Sequence, residues 1–318
     1  MEIKKVTVAG SGVLGSQIAF QTAFKGFQTN VWLRSDASIE RAKPFFQRWR
    51  DTYIQELELA KLHVLGKSAP MPVAGGIFSD ITKVSIEEID EKIEFVKTLP
   101  EKITFSTDMA EAFKDTDLVI EAVAENIEQK KDFYEKLAPH LQDHTILCTN
   151  SSTLLPSMFA EETKRPEKFL ALHFANLIWR SNTGEIMGHE NTSKEAFDTV
   201  VQFAKDIGMV ALPLHKEQAG YLLNSLLVPF LSAATDLWAM DVADPETIDL
   251  TWKVGTGAPR GPFEIIDIVG LTTVYNIKSM NPLSKDPETA QGKTVAKLKA
   301  MIDAGKKGRN VGEGFYKY

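Results

Sequence analysis

A chain of 318 residues, 43% of them hydrophobic, has ample apolar side chains for packed cores, and its single cysteine, Cys148, excludes an internal disulfide. The net charge of −7 argues against nucleic acid or an anionic membrane as partner, because both reward a basic face. The longest apolar stretch, residues 219–234, is broken by Asn224, Ser225 and Pro229 and is too short to span a bilayer.

The first residues lead straight into an apolar run, with no room for a charged and then apolar leader, so a cytoplasmic setting is expected. That run, Val6, Thr7, Val8 and Ala9, is followed by Gly10, Gly12 and Gly15 and then by Ile18, Ala19, Phe20 and Ala23 at helical spacing. The order is strand, glycine turn, helix. The first glycine lets the chain turn, the second lets backbone approach a pyrophosphate, and the third lets helix and strand pack closely. The helix start, with Val13 and Leu14, offers N–H groups to the phosphates, so these five residues are candidate dinucleotide contacts.

A second strand is expected over residues 29–33. NAD-binding folds usually end this strand with an acid for the ribose hydroxyls, but here Leu33 is followed by Arg34 and Ser35, donors suited to a 2′-phosphate. This favours NADP; NAD stays possible, with Asp36 serving the ribose after a small register shift. Residues 38–66 have the pattern of an amphipathic helix despite Pro44, 68–76 are irregular, and 86–96 read as an exposed helix or short edge element. Together they form an arm over about 38–100.

Short apolar runs at 103–105, 118–123 and 145–148 alternate with helices such as 126–137, and Cys148 reads as a core thiol. His140 and His144 have one-turn spacing but no ligand-rich company, so no metal is expected. Strands at 169–174 and 184–187, a helix at 194–207 and a strand at 209–214 complete a dinucleotide-binding domain over 1–215. From 216 to 318 only helical spacing remains, and the first helix is apolar on several faces, which suits burial between domains or in a homodimer. The expected fold is α/β, a Rossmann-type doubly wound sheet followed by an all-α C-terminal domain.

The run from Val8 to Gly15, Glu121-Ala122-Val123-Ala124-Glu125, Asn150-Ser151-Ser152, Leu172-His173-Phe174-Ala175-Asn176, Glu185, Asn224, residues 255–267 and Gly312-Glu313-Gly314-Phe315-Tyr316 together resemble the L-3-hydroxyacyl-CoA dehydrogenase family. The resemblance covers nearly the whole chain apart from the arm. It implies that His173 is the acid/base partner of hydride transfer to or from a nicotinamide, a role that imidazole chemistry suits. It makes Glu185 the carboxylate that orients His173, and Ser152 and Asn224 the groups reaching the reacting oxygen. It puts Glu125 and Lys130 at the nicotinamide side, with Asn150 among the cofactor contacts.

Two departures bear on the substrate. The enlarged arm shows no residue that can be equated with the family's CoA contacts, and the usual proline after Asn176 is Leu177, followed by Trp179 and Arg180. Asn176, Trp179 and Arg180 are candidates for recognising a keto-ester or carboxylate, with packing at a domain interface as the alternative for Trp179. The expected substrate is a small 3-hydroxy or 3-keto compound, with a 3-hydroxyacyl-CoA as the alternative. A crystallin-like binding protein without turnover is the reading of another class, and the joint presence of Ser152, His173, Glu185 and Asn224 speaks against it.

Overall fold

The computed structural model describes residues 1–318, which divide into two compact units, 1–222 and 223–318. The first contains β1 (Lys5–Ala9), α1 (Val13–Phe24), β2 (Gln28–Trp32), α2 (Asp36–Val64), α3 (Ile86–Lys102), β3 (Thr104–Ser106), α4 (Met109–Ala112), β4 (Leu118–Glu121), α5 (Ile127–Leu137), β5 (Ile146–Thr149), β6 (Phe169–Phe174), β7 (Thr183–Met187), α6 (Lys194–Asp206) and β8 (Val210–Leu214). The second contains α7 (Leu223–Ala239), α8 (Pro245–Thr256), α9 (Pro262–Val269), α10 (Leu271–Ser279) and α11 (Ala290–Asp303). No helix is long and apolar enough to cross a membrane.

The eight strands form one sheet in the order β3-β2-β1-β4-β5-β6-β7-β8, parallel except for the β6/β7 pair. Side chains alternate across it, as the period of two requires. Val6, Val8, Leu118, Ile120, Ile146 and Cys148 join the core on one face, and Val119, Leu147 and Phe169 join that on the other. Burial pushes the Cys148 thiol pKa up, which keeps it a protonated core residue. The chain leaves β1 in one direction and returns to β4 on its other side, so the order reverses between these strands. Their carboxyl ends open the crevice where such sheets bind ligands.

The arm is part of the core. Helix α1 is buried from Gly15 to Phe24 on every face because α2 and α3 pack over it. α3 is longer than the expected 86–96 and is not simply exposed. Ser85 caps it, Ile89, Ile93, Val96 and Leu99 at helical spacing enter the core, and its acids face water. A helix buried all round must satisfy its polar side chains internally. Gln21 does so by donating to the carbonyls of Gly76 (2.8 Å) and Ile207 (2.6 Å) and accepting from the Tyr53 hydroxyl.

In the helical unit, Leu231, Phe263, Ile266, Leu271 and Leu298 form the core. Two buried aspartates organise its ends. Asp249 accepts from the first N–H groups of α9, at Phe263 (2.8 Å) and Glu264 (3.0 Å), and Asp267 accepts from Phe315 (2.8 Å) and Tyr316 (2.9 Å). A Cβ at Gly314 would lie 2.0 Å from Asp267 Oδ1. The Gly-Glu-Gly-Phe-Tyr ending is therefore a closure motif for this unit rather than part of a site.

Candidate active site

The glycine turn after β1 is shaped for a ligand. Gly10 holds φ +105°, and a Cβ there would lie 2.5 Å from the Ala122 carbonyl, so the turn tolerates only glycine. Gly12 sits at the N-cap of α1 with no side-chain cap, and open space surrounds the position its Cβ would take. The first-turn N–H groups of α1 thus lack a side-chain acceptor and meet an uncrowded surface, which suits a pyrophosphate. A cavity of about 640 Å³ lies to one side, lined by Gly10, Trp32, Leu33, Arg34, Ser38 and Phe133 among others. A smaller one of about 220 Å³ contains Leu14, Gly15, Glu125, Lys130, Asn150 and Ser152. Both share Gly12, Ala122 and Val123, so two chambers meet at the glycine turn as the two halves of a dinucleotide require. Val13, in the first turn of α1, is exposed.

At the end of β2, Leu33 is buried and Arg34 is exposed on the rim of the larger chamber. Ser35 does not line it. Its Oγ caps α2 by accepting the Ser38 N–H at 3.3 Å, because a helix starting here needs an acceptor at that position. The hydroxyl lining the chamber is that of Ser38, and Arg41 Nη2 donates to it at 2.8 Å. The sequence reading missed Ser38 by one helical turn, since capping geometry settles which of two nearby serines faces the cavity.

Around the smaller chamber, Glu125 accepts from Ser151 Oγ (2.6 Å), Ser152 N (3.1 Å), Thr153 N (3.0 Å) and Thr153 Oγ1 (2.9 Å). Burial alone would raise its carboxyl pKa, but the hydrogen bonds from Ser151 and Thr153 and the Lys130 ammonium hold it below the usual range. Glu125 therefore shapes the loop that presents Ser152. Lys130 is buried, with its ammonium 2.6 Å from Glu121 and 3.5 Å from Glu125. Glu121, absent from the expected site, also accepts from Val123 N (2.8 Å), Tyr134 Oη (2.6 Å) and Thr149 Oγ1 (2.7 Å). A fully buried carboxylate with four donors is a satisfied anchor. An acid ending an apolar strand was the signal for it.

His173 and Glu185 lie directly opposite in the β6/β7 register, so an antiparallel pair brings together residues twelve apart. His173 Nδ1 is 2.9 Å from Glu185 Oε2, and its Nε2 is 3.1 Å from Ser152 Oγ. A carboxylate only accepts, so Nδ1 carries the proton and Nε2 of the neutral ring accepts from Ser152. Both His173 and Glu185 are buried. Asn150 Oδ1 accepts the Phe174 N–H at 3.1 Å, tying the chamber to the strand that bears His173. Asn224 is the second residue of α7, half-buried in the helical unit.

Beyond His173, Asn176 is exposed and Leu177 takes φ +61°, its N–H donating to the buried Gln17 Oε1 at 2.8 Å. Gln17 was missed; a glutamine inside an apolar helix pointed to a required partner. Trp179 and Arg180 both turn to Glu56. Trp179 is 3% exposed with its indole N–H on Glu56 (3.1 Å), and Arg180 grips both oxygens of Glu56 (2.6 and 2.5 Å) and the Pro72 carbonyl (3.1 Å). Arg180 thus commits three of its five N–H donors and Trp179 its only one, and these contacts bolt the arm to the loop after β6.

Comparison with known proteins agrees with this geometry. Residues 77–218 match the description "3-hydroxyacyl-CoA dehydrogenase, NAD binding domain", and 220–318 match "3-hydroxyacyl-CoA dehydrogenase, C-terminal domain". The chain belongs to the 3-hydroxyacyl-CoA dehydrogenase family. Similar proteins include the mitochondrial hydroxyacyl-coenzyme A dehydrogenase of Sus scrofa, 32% identical over 99% of this chain and 91% of that protein. The 3-hydroxybutyryl-CoA dehydrogenase of Clostridioides difficile is 31% identical over 99% of both chains. A diketoreductase, whose structure is described under "Substrate-directed dual catalysis of dicarbonyl compounds", is 46% identical over 100% of both chains with a TM-score of 0.84. The family membership and the NAD-binding domain make this protein a nicotinamide-dependent oxidoreductase.

Proposed function

We propose that this member of the family is an NADPH-preferring oxidoreductase acting on a small 3-keto or 3-hydroxy compound that lacks CoA. The observation that carries the chemistry is the Ser152–His173–Glu185 chain, which opens through Ser152 onto the smaller chamber at the glycine turn. A protein that merely bound a dinucleotide would have no need of it. The bound cofactor supplies or accepts the hydride; the chain's own part is the proton. In the reducing direction the reacting form is the imidazolium, stabilised by Glu185; its Nε2 gives a proton to the substrate oxygen, which Ser152 Oγ holds by a hydrogen bond, and the ring is left neutral. From the family resemblance we carry over a role for Asn224 at the substrate oxygen, and we assign Asn176, exposed just beyond the strand that bears His173, to substrate contact.

The absence of CoA rests on the arm and on the likeness to the diketoreductase. An acyl-CoA enzyme must hold a polyanionic nucleotide outside its pocket, for which cations on the arm are the natural means. Here Lys83, Lys92 and Lys97 pair with Asp80, Glu88 and Glu94, and Lys61 pairs with Asp90, leaving Glu87 and Glu91 in excess on the outer face of α3. None of these lysines stands unpaired for a CoA phosphate. Free CoA at low ionic strength is expected not to compete with substrate. A short 3-oxoester is expected to give a kcat/KM at least equal to that of acetoacetyl-CoA. Tight competitive inhibition by CoA reverses the order of the two substrates.

We also infer a homodimer through the helical unit. Leu226, Val242, Leu250, Val254 and Met280 are each more than half exposed in that unit, apolar side chains that a partner's surface could cover. Light scattering that gives the mass of one chain at micromolar concentration excludes it.

A further inference from the structure

The last residues of the first unit adopt a backbone that their side chains do not favour. Gly220 and Tyr221 take φ +80° and +53°, in the left-handed region. Glycine accepts this freely; a bulky aromatic does so only when its surroundings hold it there. What holds Tyr221 is the catalytic relay. Its ring stacks on the His173 imidazole, centroids 4.5 Å apart and planes 14° from parallel. Its hydroxyl donates to the Ser151 carbonyl at 2.7 Å, one residue before Ser152, and the next N–H, of Leu222, donates to Glu185 Oε1 at 2.9 Å. Burial, then the Glu125 and Glu185 carboxylates, push the phenol pKa far up, so it stays a donor throughout the working pH range.

The bonds at Nδ1 and Nε2 hold the imidazole only while Ser152 faces it; once Ser152 turns to the substrate oxygen, the Glu185 bond and the Cβ tether are what remain. A flat face stacked on the ring resists its swinging out of place during that exchange. We propose that Tyr221 is a positioning residue for the proton transfer: its ring braces the His173 imidazole, and its hydroxyl, bonded to the Ser151 carbonyl, helps to seat the ring there. The proposal rests on His173 being the acid/base group, so the experiment separates the two.

Tyr221→Leu is expected to lower kcat about three- to tenfold, the worth of one aromatic stack, with KM and cofactor affinity within about twofold. The solvent deuterium isotope effect on kcat is expected to rise, because the proton step becomes slower. Tyr221→Phe, which keeps the stack, is expected to restore most of the rate. On a His173→Ala background Tyr221→Leu is expected to change the residual rate no further, since the group it positions is gone. Should Tyr221→Leu not fold, Tyr221→Met, which fills the space without a planar face, is read in its place. An unchanged kcat and isotope effect, or a full further loss on the His173→Ala background, overturns the positioning role and leaves the relay standing. A His173→Ala enzyme that keeps its rate overturns the relay itself.

Discussion

His173→Ala is expected to abolish nearly all turnover while leaving dinucleotide binding intact. The imidazole is bonded to Glu185 and Ser152 and does not line the larger chamber, so its removal should strike proton transfer and spare dinucleotide binding. General acid–base catalysis contributes roughly 10²–10⁴-fold, and the loss in kcat should fall in that range. Glu185→Gln keeps the shape of the pair but removes the charge that stabilises the imidazolium. A charge-assisted hydrogen bond is worth about 1.5–3 kcal/mol, so this variant should lose ten- to a hundredfold. Steady-state kcat at saturating cofactor, with cofactor affinity from nicotinamide fluorescence, measures both. More than about a tenth of the rate left in His173→Ala would assign the proton to another group.

Cofactor choice is expected to turn on the rim of the larger chamber. Arg34 is exposed there beside Ser38, while Leu33 offers nothing to a ribose hydroxyl, so the unaltered protein should prefer NADPH to NADH. Replacing Leu33 by Asp and Arg34 by Ile removes the cation and supplies an acceptor at the strand end. The lost arginine–phosphate contact costs roughly 1.5–3 kcal/mol, or about one to two decades in NADPH affinity. Ser38→Ala should weaken NADPH more than NADH, whereas Ser35→Ala should act on stability through the α2 cap. Comparing kcat/KM for the two cofactors decides the matter. Equal use of both by the unaltered protein removes the argument for a phosphate site.

Much of the architecture was legible because it is dictated locally. An apolar run, a Gly-x-Gly-x-x-Gly turn and an amphipathic helix are each constrained over one or two turns of chain, and their repeated alternation leaves few topologies besides a doubly wound sheet. His173, Glu185 and Ser152 were singled out through their motifs; the antiparallel register of β6 and β7 brings the first two together, and the loop after β5 brings Ser152 to the imidazole. By contrast, the reading of residues 86–96 as simply exposed gave too little weight to Ile89, Ile93 and Val96, whose shared face the packing against α1 and α2 buries.

The sequence by itself determined the kind of fold, the place of the glycine turn and which residues are candidates for moving a proton. Only the tertiary structure decided which neighbouring side chains meet them. Arg180 and Trp179 carry the chemistry of substrate recognition but lie 124 and 123 positions from Glu56, which captures both. Tyr221 stands 70 positions from Ser151, yet its ring faces His173. Ser38 rather than Ser35 lines the larger chamber because the cap of α2 claims the nearer hydroxyl. Periodicity and glycine record what a residue's own few neighbours allow. Contacts across a hundred positions are set by strand order and helix packing, and the buried charge of Glu56 draws in whichever cation that packing brings within reach.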